Sequence, residues 1–183
     1  DDARIIKANG KYIIPGLMDA NVHLMTQAIT IEGAVRYEGR YEELITEASQ
    51  VTLRNGVTTV FDSWGPRQAL VNVRNDINEG KIPGSRIYLA GNIVGYGGPF
   101  SNDFNPKNRE FASKALVERT NNLYEQGVGR ELLWMTPGQV QEKVRAYIKK
   151  DIDFLKFAVS GHAGGSLEFL TFSPQVQEVI ITE

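Results

Sequence analysis

The sequence predicts an α/β fold in which parallel strands alternate with helices. Short β-branched or apolar runs recur along the chain without polar alternation, which is typical of strands buried on both faces. Each run is followed by a segment whose apolar residues repeat at about the helical period. Strand–helix–strand repeats of this kind form parallel sheets with right-handed crossovers. About four such units fit either an open doubly wound sheet or half of an eight-stranded (β/α) barrel.

The predicted elements follow this alternation along the chain. We predict strands over 16–23, 56–62, 85–90 and 153–161, and helices over 41–55, 66–79, from 136 onward and from 173 onward. A long loop over 91–136, with a short helix near 112–125, separates the third strand from the next long helix. Thr136 supplies an N-cap before a proline at the first helical position, and Ser173-Pro174 opens the last helix.

The amino-terminal residues carry a β-hairpin signal. The runs ARIIKA and KYIIPG flank Asn9-Gly10, a pair that suits the two positive φ angles of a type I′ turn. Pro15 cannot donate a ladder hydrogen bond. We therefore expect it to separate this hairpin from the strand over 16–23.

Composition and charge exclude several kinds of protein. The 183 residues are 42% hydrophobic and 23% charged, which suits one globular domain with a sizeable core. The net charge is -2, so the basic excess that binds nucleic acid is missing. The absence of cysteine excludes disulfides, thiolate metal sites and a cysteine nucleophile. Neither a long apolar run nor a signal-peptide pattern occurs, so no membrane partner is expected and the compartment is not indicated.

Two polar side chains close the strand predicted over 16–23. Asn21 and His23 are separated by one residue, so they project to the same side at the carboxyl end of that strand. Parallel α/β folds build their active sites at this end. Two imidazoles at this spacing would clamp a metal ion, whereas here one imidazole stands beside an amide. The alternative is a single histidine that is satisfied by hydrogen bonds at a strand end.

Lys156 lies inside the otherwise apolar run DFLKFAVSG. An unpaired ammonium in a buried strand is very costly, so this lysine must be neutralised, paired or chemically changed. One alternative is that its stem is buried while its amine reaches the strand end. The others are a Schiff-base former, a base of lowered pKa, and a carbamate that offers two oxygens to metal ions.

Further candidate residues lie in the segments that follow the strands. His162, the only other histidine, is expected on the same rim as His23, where it would bind substrate, bind metal or face water. Its loop, SGHAGG, lacks the Lys-Ser/Thr ending of a phosphate-binding loop, and so does GYGGPF. Asp62 and Trp64 are also expected at the presumed active rim, where such residues more often cap the next helix or pack under a loop. The aromatic residues of the long loop indicate either an apolar or aromatic substrate group or a loop packed onto the fold: Tyr96, Phe100, Phe104, Phe111, Tyr124 and Trp134.

The run GKYIIPGLMDANVHL resembles the opening signature of the metal-dependent amidohydrolase superfamily, in which a strand and Pro-Gly-Leu/Phe-Ile/Met-Asp precede His-x-His. NGVTTVFD and DFLKFAVSG are similar to the second and fourth strands of that family, in the same order. The sequence resembles most the imidazolonepropionase-like subgroup, which includes Xaa-Pro dipeptidases. The resemblance implies the first half of a TIM-type (β/α)8 barrel over 15–183, preceded at 1–14 by the tail of a small β-sandwich.

The resemblance also implies a site and a chemistry. His23 would be the second histidine of the His-x-His pair, and Lys156, as a carbamate, would bridge two metal ions. Asn21 stands in the place of the first histidine, where an amide binds zinc-like metals more weakly or acts only through a hydrogen bond. His162 would contact the substrate. The implied cofactor is a divalent metal such as zinc, as one or two ions, and the implied reaction is hydrolysis of an amide or other C–N bond in a cyclic amide or dipeptide-like small molecule.

The sequence departs from the family in a second way besides Asn21. The family's later histidines and its aspartate, on strands five, six and eight, have no positions here, so we expect an excerpt of a longer enzyme or a fragment that pairs. The open strand edges of a half barrel would be covered by a second copy or by the missing half. Two other functions stay open: an inactive scaffold or binding module, and a Schiff-base enzyme that uses Lys156.

Overall fold

The computed structural model describes residues 2–104, 106–161 and 169–183. Its strands are β1 (Leu17–Val22), β2 (Val57–Asp62), β3 (Arg86–Leu89), β4 (Ile93–Val94), β5 (Lys156–Phe157), β6 (Ser160–Gly161) and β7 (Phe169–Leu170). Its α-helices are α1 (Ile31–Arg36), α2 (Tyr41–Arg54), α3 (Arg67–Asn78), α4 (Pro106–Phe111), α5 (Lys114–Glu125), α6 (Pro137–Ile148) and α7 (Pro174–Thr182). Short 3-10 helices cover Thr26–Ile29 and Arg130–Trp134.

Parallel strands in chain order form the framework of the fold. The first sheet has the order β1-β2-β3, and β4 pairs with β5 in a second parallel ladder. In the first sheet Asp19 lies opposite Val60, and Asp62 lies opposite Leu89. The short strands β6 and β7 pair antiparallel. The predicted α/β class is therefore confirmed, while closure into an eight-stranded barrel stays a prediction.

The main core lies between the three-stranded sheet and the helices α2 and α3. Val60 of β2 and Leu89 of β3 are fully buried and belong to the same apolar cluster as Ile45 of α2 and Leu70 of α3. A second cluster joins β4 to α6 and α7, with Tyr147 as its largest fully buried side chain. The helices α2, α3, α6 and α7 each bury apolar residues along one stripe, as the helical period of the sequence predicts.

The other face of the sheet carries aromatic side chains. Phe61 alternates with the buried Val60, so it points away from α2 and α3. Its ring stacks on Tyr88 of β3 with centroids 4.9 Å apart, and the ring of Phe154 lies 6.0 Å away. Ser63 lies two residues beyond Phe61, at the strand end where the candidate site is built.

The amino-terminal hairpin is only partly formed. Asn9 and Gly10 have φ angles of 43° and 79°, which confirms the predicted turn, and the Lys11 N–H donates to the Ala8 carbonyl at 2.9 Å. The two flanking runs are not strands, however, and Tyr12 is 96% exposed. The predicted strands are wrong here, because a lone hairpin without a third strand or a packed face is marginally stable. The assignment of 1–14 to a β-sandwich stays a prediction.

The strand predicted over 153–161 is wrong in length. Only β5 pairs with the parallel framework, and β6 turns instead to antiparallel pairing with β7. The ladder is short because its partner β4 has only two residues. That partner lies inside the predicted loop over 91–136, which also contains α4 and α5; of these, α5 agrees with the helix expected near 112–125.

The helix ends agree closely with the sequence signals. Thr136 and Gln139 form a capping box at the start of α6, with proline at its first position. The Ser173 side chain caps α7 by accepting from the Val176 N–H. None of the helices in the described ranges has the length and apolar character needed to cross a membrane.

Candidate functional site

Three polar side chains from different parts of the chain meet at the strand ends. The Ser63 hydroxyl, one residue beyond β2, donates to Asn21 Oδ1 near the end of β1. Lys156 Nζ, at the start of β5, donates to Ser63 Oγ at 3.0 Å and to Asn21 Oδ1 at 3.3 Å. The structure therefore brings Asn21 and Lys156 into contact across 135 positions of sequence.

The Lys156 amine fixes the orientation of the Asn21 amide. A protonated lysine only donates hydrogen bonds, so the amide atom that faces it is the oxygen. This oxygen accepts from both Lys156 and Ser63, which uses its two lone pairs. Asn21 must release these donors before it can bind a metal ion through the same atom. Its predicted role as a ligand stays a prediction.

Lys156 is half-buried, and its amine is paired rather than isolated. Burial lowers its pKa, and the negative charge of Asp62 opposes that shift. The Asn21 and Ser63 oxygens replace part of the water that the ammonium loses on burial. The energetic cost of burying this ammonium is thus reduced by two hydrogen bonds when the lysine is unmodified. Carbamate formation stays a prediction.

His23 lies at the same strand end, with its ring edge-on to Trp64. The ring centroids are 5.7 Å apart and the ring planes meet at 87°. Its Nδ1 atom is buried and has no hydrogen-bond partner. Burial lowers the pKa of His23, the positive charge of Lys156 lowers it further, and a hydrogen bond to the Trp64 backbone opposes both. The imidazole is therefore neutral near pH 7, which is the form that binds metal ions.

These side chains fit one side of a metal site. His23 supplies a buried neutral nitrogen without a partner, and Lys156 would supply oxygens as a carbamate. As an ammonium, Lys156 would instead repel a cation. Within the described ranges, no group of three or more His, Cys, Asp or Glu side chains could hold a metal ion by itself.

Asp62 ties together the segments that follow β1 and β2. Its carboxylate is fully buried and accepts from the Leu24 N–H at 2.8 Å and from the Trp64 N–H at 3.1 Å. Burial raises its pKa to about 7, while these two N–H groups and then the charge of Lys156 act in the opposite direction. Asp62 therefore packs beneath the loops that follow β1 and β2, which is one of the roles expected from the sequence. Its hydrogen bonds hold in place the segments that carry His23 and Ser63.

The segment after β3 folds back over the strand ends through aromatic contacts. The Trp64 indole donates to Asn92 Oδ1 at 3.2 Å, and the Phe104 ring stacks on the indole with centroids 4.0 Å apart. The Tyr96 hydroxyl donates to the Ser160 carbonyl at 2.8 Å. Among the aromatic residues singled out in this segment, Tyr96, Phe100 and Tyr124 are buried, whereas Phe111 and Trp134 are 81% and 85% exposed. The packing alternative is thus confirmed for the buried rings.

One predicted residue is not described, and one residue of the network was not predicted. His162 lies outside the described residues, so its contact with substrate stays a prediction. Ser63 was missed because the sequence argument followed the second strand only to Asp62. The alternation used for Asn21 and His23 could have found it, since Phe61 and Ser63 project to one face in the same way.

The fold is similar to those of several solved hydrolase structures. The chain matches molinate hydrolase with a TM-score of 0.92 and 38% identity, covering 99% of this chain and 41% of that one. It matches phenylurea hydrolase B with a TM-score of 0.86 and 42% identity, covering 92% of this chain and 40% of that one. The resemblance to the amidohydrolase superfamily is confirmed. A Xaa-Pro dipeptidase, 26% identical, also matches, with a TM-score of 0.61 over 92% of this chain and 40% of that one.

The similarity to amidohydrolases concerns only part of each relative. The chain spans about two fifths of the length of these matched structures. No family model matches the chain. No curated protein sequence matches it either.

Proposed function

We propose that the protein carrying this chain is a metal-dependent hydrolase that cleaves an amide or other C–N bond in a small molecule. The observation that carries the proposal is the meeting of Asn21 and Lys156 at the carboxyl ends of parallel strands, with His23 beside them. The 38% and 42% identities with molinate hydrolase and phenylurea hydrolase B support the same class of reaction. In this proposal the chain supplies one part of the active site.

The proposal includes a divalent metal such as zinc, as one or two ions. His23 would hold it through its imidazole and Lys156 through a carbamate, while Asn21 would be a weak ligand or a hydrogen-bond partner. A metal bound there lowers the pKa of a water molecule and polarises the substrate carbonyl. The neutral His23 ring suits this role, because a protonated imidazole cannot bind a cation.

The chain's other residues would orient these groups. Asp62 holds the segments after β1 and β2 in register, and Trp64 fixes the ring of His23 by an edge-on contact. His162 is proposed to contact the substrate. Because one matched hydrolase is named for phenylurea, an aromatic urea is the first substrate to test, followed by cyclic amides and dipeptides.

An inactive scaffold or binding module is a second candidate, favoured by one observation. Asn21 replaces a family histidine, and its oxygen is taken by Ser63 and Lys156. In that arrangement the lysine amine is paired with two neutral groups, and the Asn21 oxygen is paired without a metal ion. The two candidates differ in whether the protein binds metal.

Metal content distinguishes these functions. The full-length protein, its His23→Ala variant and its His162→Ala variant would be analysed for metal per chain, and the wild type would be assayed against phenylurea. The hydrolase proposal expects metal in the wild type and in His162→Ala, with loss in His23→Ala. Equal metal in all three proteins would contradict the assignment of His23. No metal and no hydrolysis in the wild type would favour the scaffold.

A further inference from the structure

Ser63 is the uncharged hydroxyl that links Asn21 and Lys156 in the polar network at the strand ends. Its side chain lies between Asn21 and Lys156 and bonds to both, although the residue is only 3% exposed. Its backbone is also fixed, because the Ser63 N–H donates to the Val22 carbonyl at 3.0 Å. The adjoining Asp62 carboxylate accepts from backbone N–H groups on both neighbouring segments. The hydroxyl therefore sits on a rigid support.

The hydroxyl is chemically suited to hold Lys156 in more than one state. A serine hydroxyl both donates and accepts, and here it donates to Asn21 while it accepts from the Lys156 amine. If Lys156 carried a carbamate, the same hydroxyl could donate to a carbamate oxygen. An alanine at this position could make neither bond, whereas a threonine keeps the hydroxyl.

The burial of Ser63 decides against a nucleophilic role. A serine 3.0 Å from a lysine amine has the spacing of a nucleophile and its base. A nucleophile must be reached by the substrate, and 3% exposure leaves no approach to the oxygen. The contacts on both sides of the hydroxyl instead suit a group that acts through its neighbours.

We propose that Ser63 is a positioning residue that holds the Lys156 side chain at the strand ends together with Asn21. The proposal rests on the proposed function in placing Lys156 in the active site. Its test needs neither activity nor metal, so the two proposals can fail separately. Loss of the Ser63 hydroxyl should release Lys156 without disturbing lysines elsewhere.

The release of Lys156 can be measured by its rate of acetylation. The full-length wild type, Ser63→Ala and Ser63→Thr would be stripped of metal with a chelator, so that Lys156 is a free amine, and treated with N-hydroxysuccinimidyl acetate. Modification at each lysine would be followed by peptide mass spectrometry. Lys149 is exposed, so its acetylation rate serves as the internal reference for the activity of the reagent. Lys150 is the matched control, since its Nζ donates to the Gln126 carbonyl at 2.8 Å, far from Ser63 in the chain, and its rate rises if the whole fold loosens.

The expected result is specific to one lysine. In Ser63→Ala, the Lys156 rate relative to Lys149 should rise about five- to tenfold, as expected for loss of one hydrogen bond to a charged or polar group, while the Lys150 rate stays constant. Ser63→Thr should stay within about twofold of the wild type. An unchanged Lys156 rate in Ser63→Ala, an equal rise at Lys150, or a threonine variant that behaves like alanine would each overturn the proposal. If Ser63→Ala does not fold, Ser63→Cys is the substitute, because a thiol is close in size to the hydroxyl and forms a weaker hydrogen bond. The Lys156 rate should then rise by a smaller factor, and an unchanged rate would overturn the proposal.

Discussion

The buried carboxylate of Asp62 should make the stability of the protein depend on pH in an unusual direction. The side chain is fully buried between the segments that follow β1 and β2. Burial raises its pKa from 3.8 to about 7. Between these values the folded protein keeps a proton that the unfolded chain has released. Stability therefore falls as the pH rises through this window, and the loss is complete above the folded pKa.

The size of the effect follows from the shift. Each pKa unit corresponds to about 1.4 kcal/mol of differential interaction. Raising the pH from 5 to 8 crosses about two units of the window, so Asp62 should lower the free energy of unfolding by about 3 kcal/mol. Asp62→Asn has nearly the same shape and does not titrate, so it should lack this contribution. Other titrating groups cancel when the wild type and the variant are compared at each pH.

Urea denaturation followed by tryptophan fluorescence would measure this difference, because Trp64 is buried and donates its backbone N–H to Asp62. The stability of the wild type minus that of Asp62→Asn should fall by about 3 kcal/mol between pH 5 and pH 8. If the stabilities of the two proteins change with pH in parallel, or if their difference grows with pH, the argument is refuted. Burial would then not outweigh the two backbone hydrogen bonds in setting the pKa of Asp62.

Two further predictions test the support of the site. The Tyr147 hydroxyl donates to the Ala90 carbonyl at 2.9 Å and accepts from the Asn92 N–H at 2.8 Å, so Tyr147→Phe leaves two buried backbone groups unpaired. We expect a loss of about 2 kcal/mol in urea denaturation, and unchanged stability would contradict it. Thr136→Ala removes the capping box with Gln139 and should cost about 1 kcal/mol, with recovery in Thr136→Ser. Equal losses in both Thr136 variants would show that capping is not the cause.

The parts of the fold that depend on local pattern could be predicted from sequence. The apolar period along α2 and α3 predicts helices because it reflects one buried stripe, and Thr136 is a cap by its own chemistry. The shortness of β5 could not be predicted, since it depends on pairing with Ile93–Val94, more than sixty positions earlier. A two-residue partner inside a Gly-rich segment leaves no local signal of a strand.

The candidate site likewise contains residues that the sequence singles out and one that it does not. Asn21, His23 and Lys156 stand out because polar residues in apolar strands need an explanation, and the structure brings Asn21 and Lys156 into contact. Ser63 does not stand out, since a serine after a strand is common. Its importance comes from a contact with Lys156 across 93 positions. The amide orientation of Asn21 likewise depends on the lysine that faces it.

The central claim is that His23 and Lys156 hold a metal ion for hydrolysis. A crystal structure of the full-length protein grown with zinc, with anomalous diffraction recorded at the zinc edge, tests it most directly. The account predicts an anomalous peak about 2.1 Å from an imidazole nitrogen of His23, with carbamate density on Lys156. A map without a peak beside His23, and with an unmodified Lys156 amine bonded to Asn21 and Ser63, would contradict it.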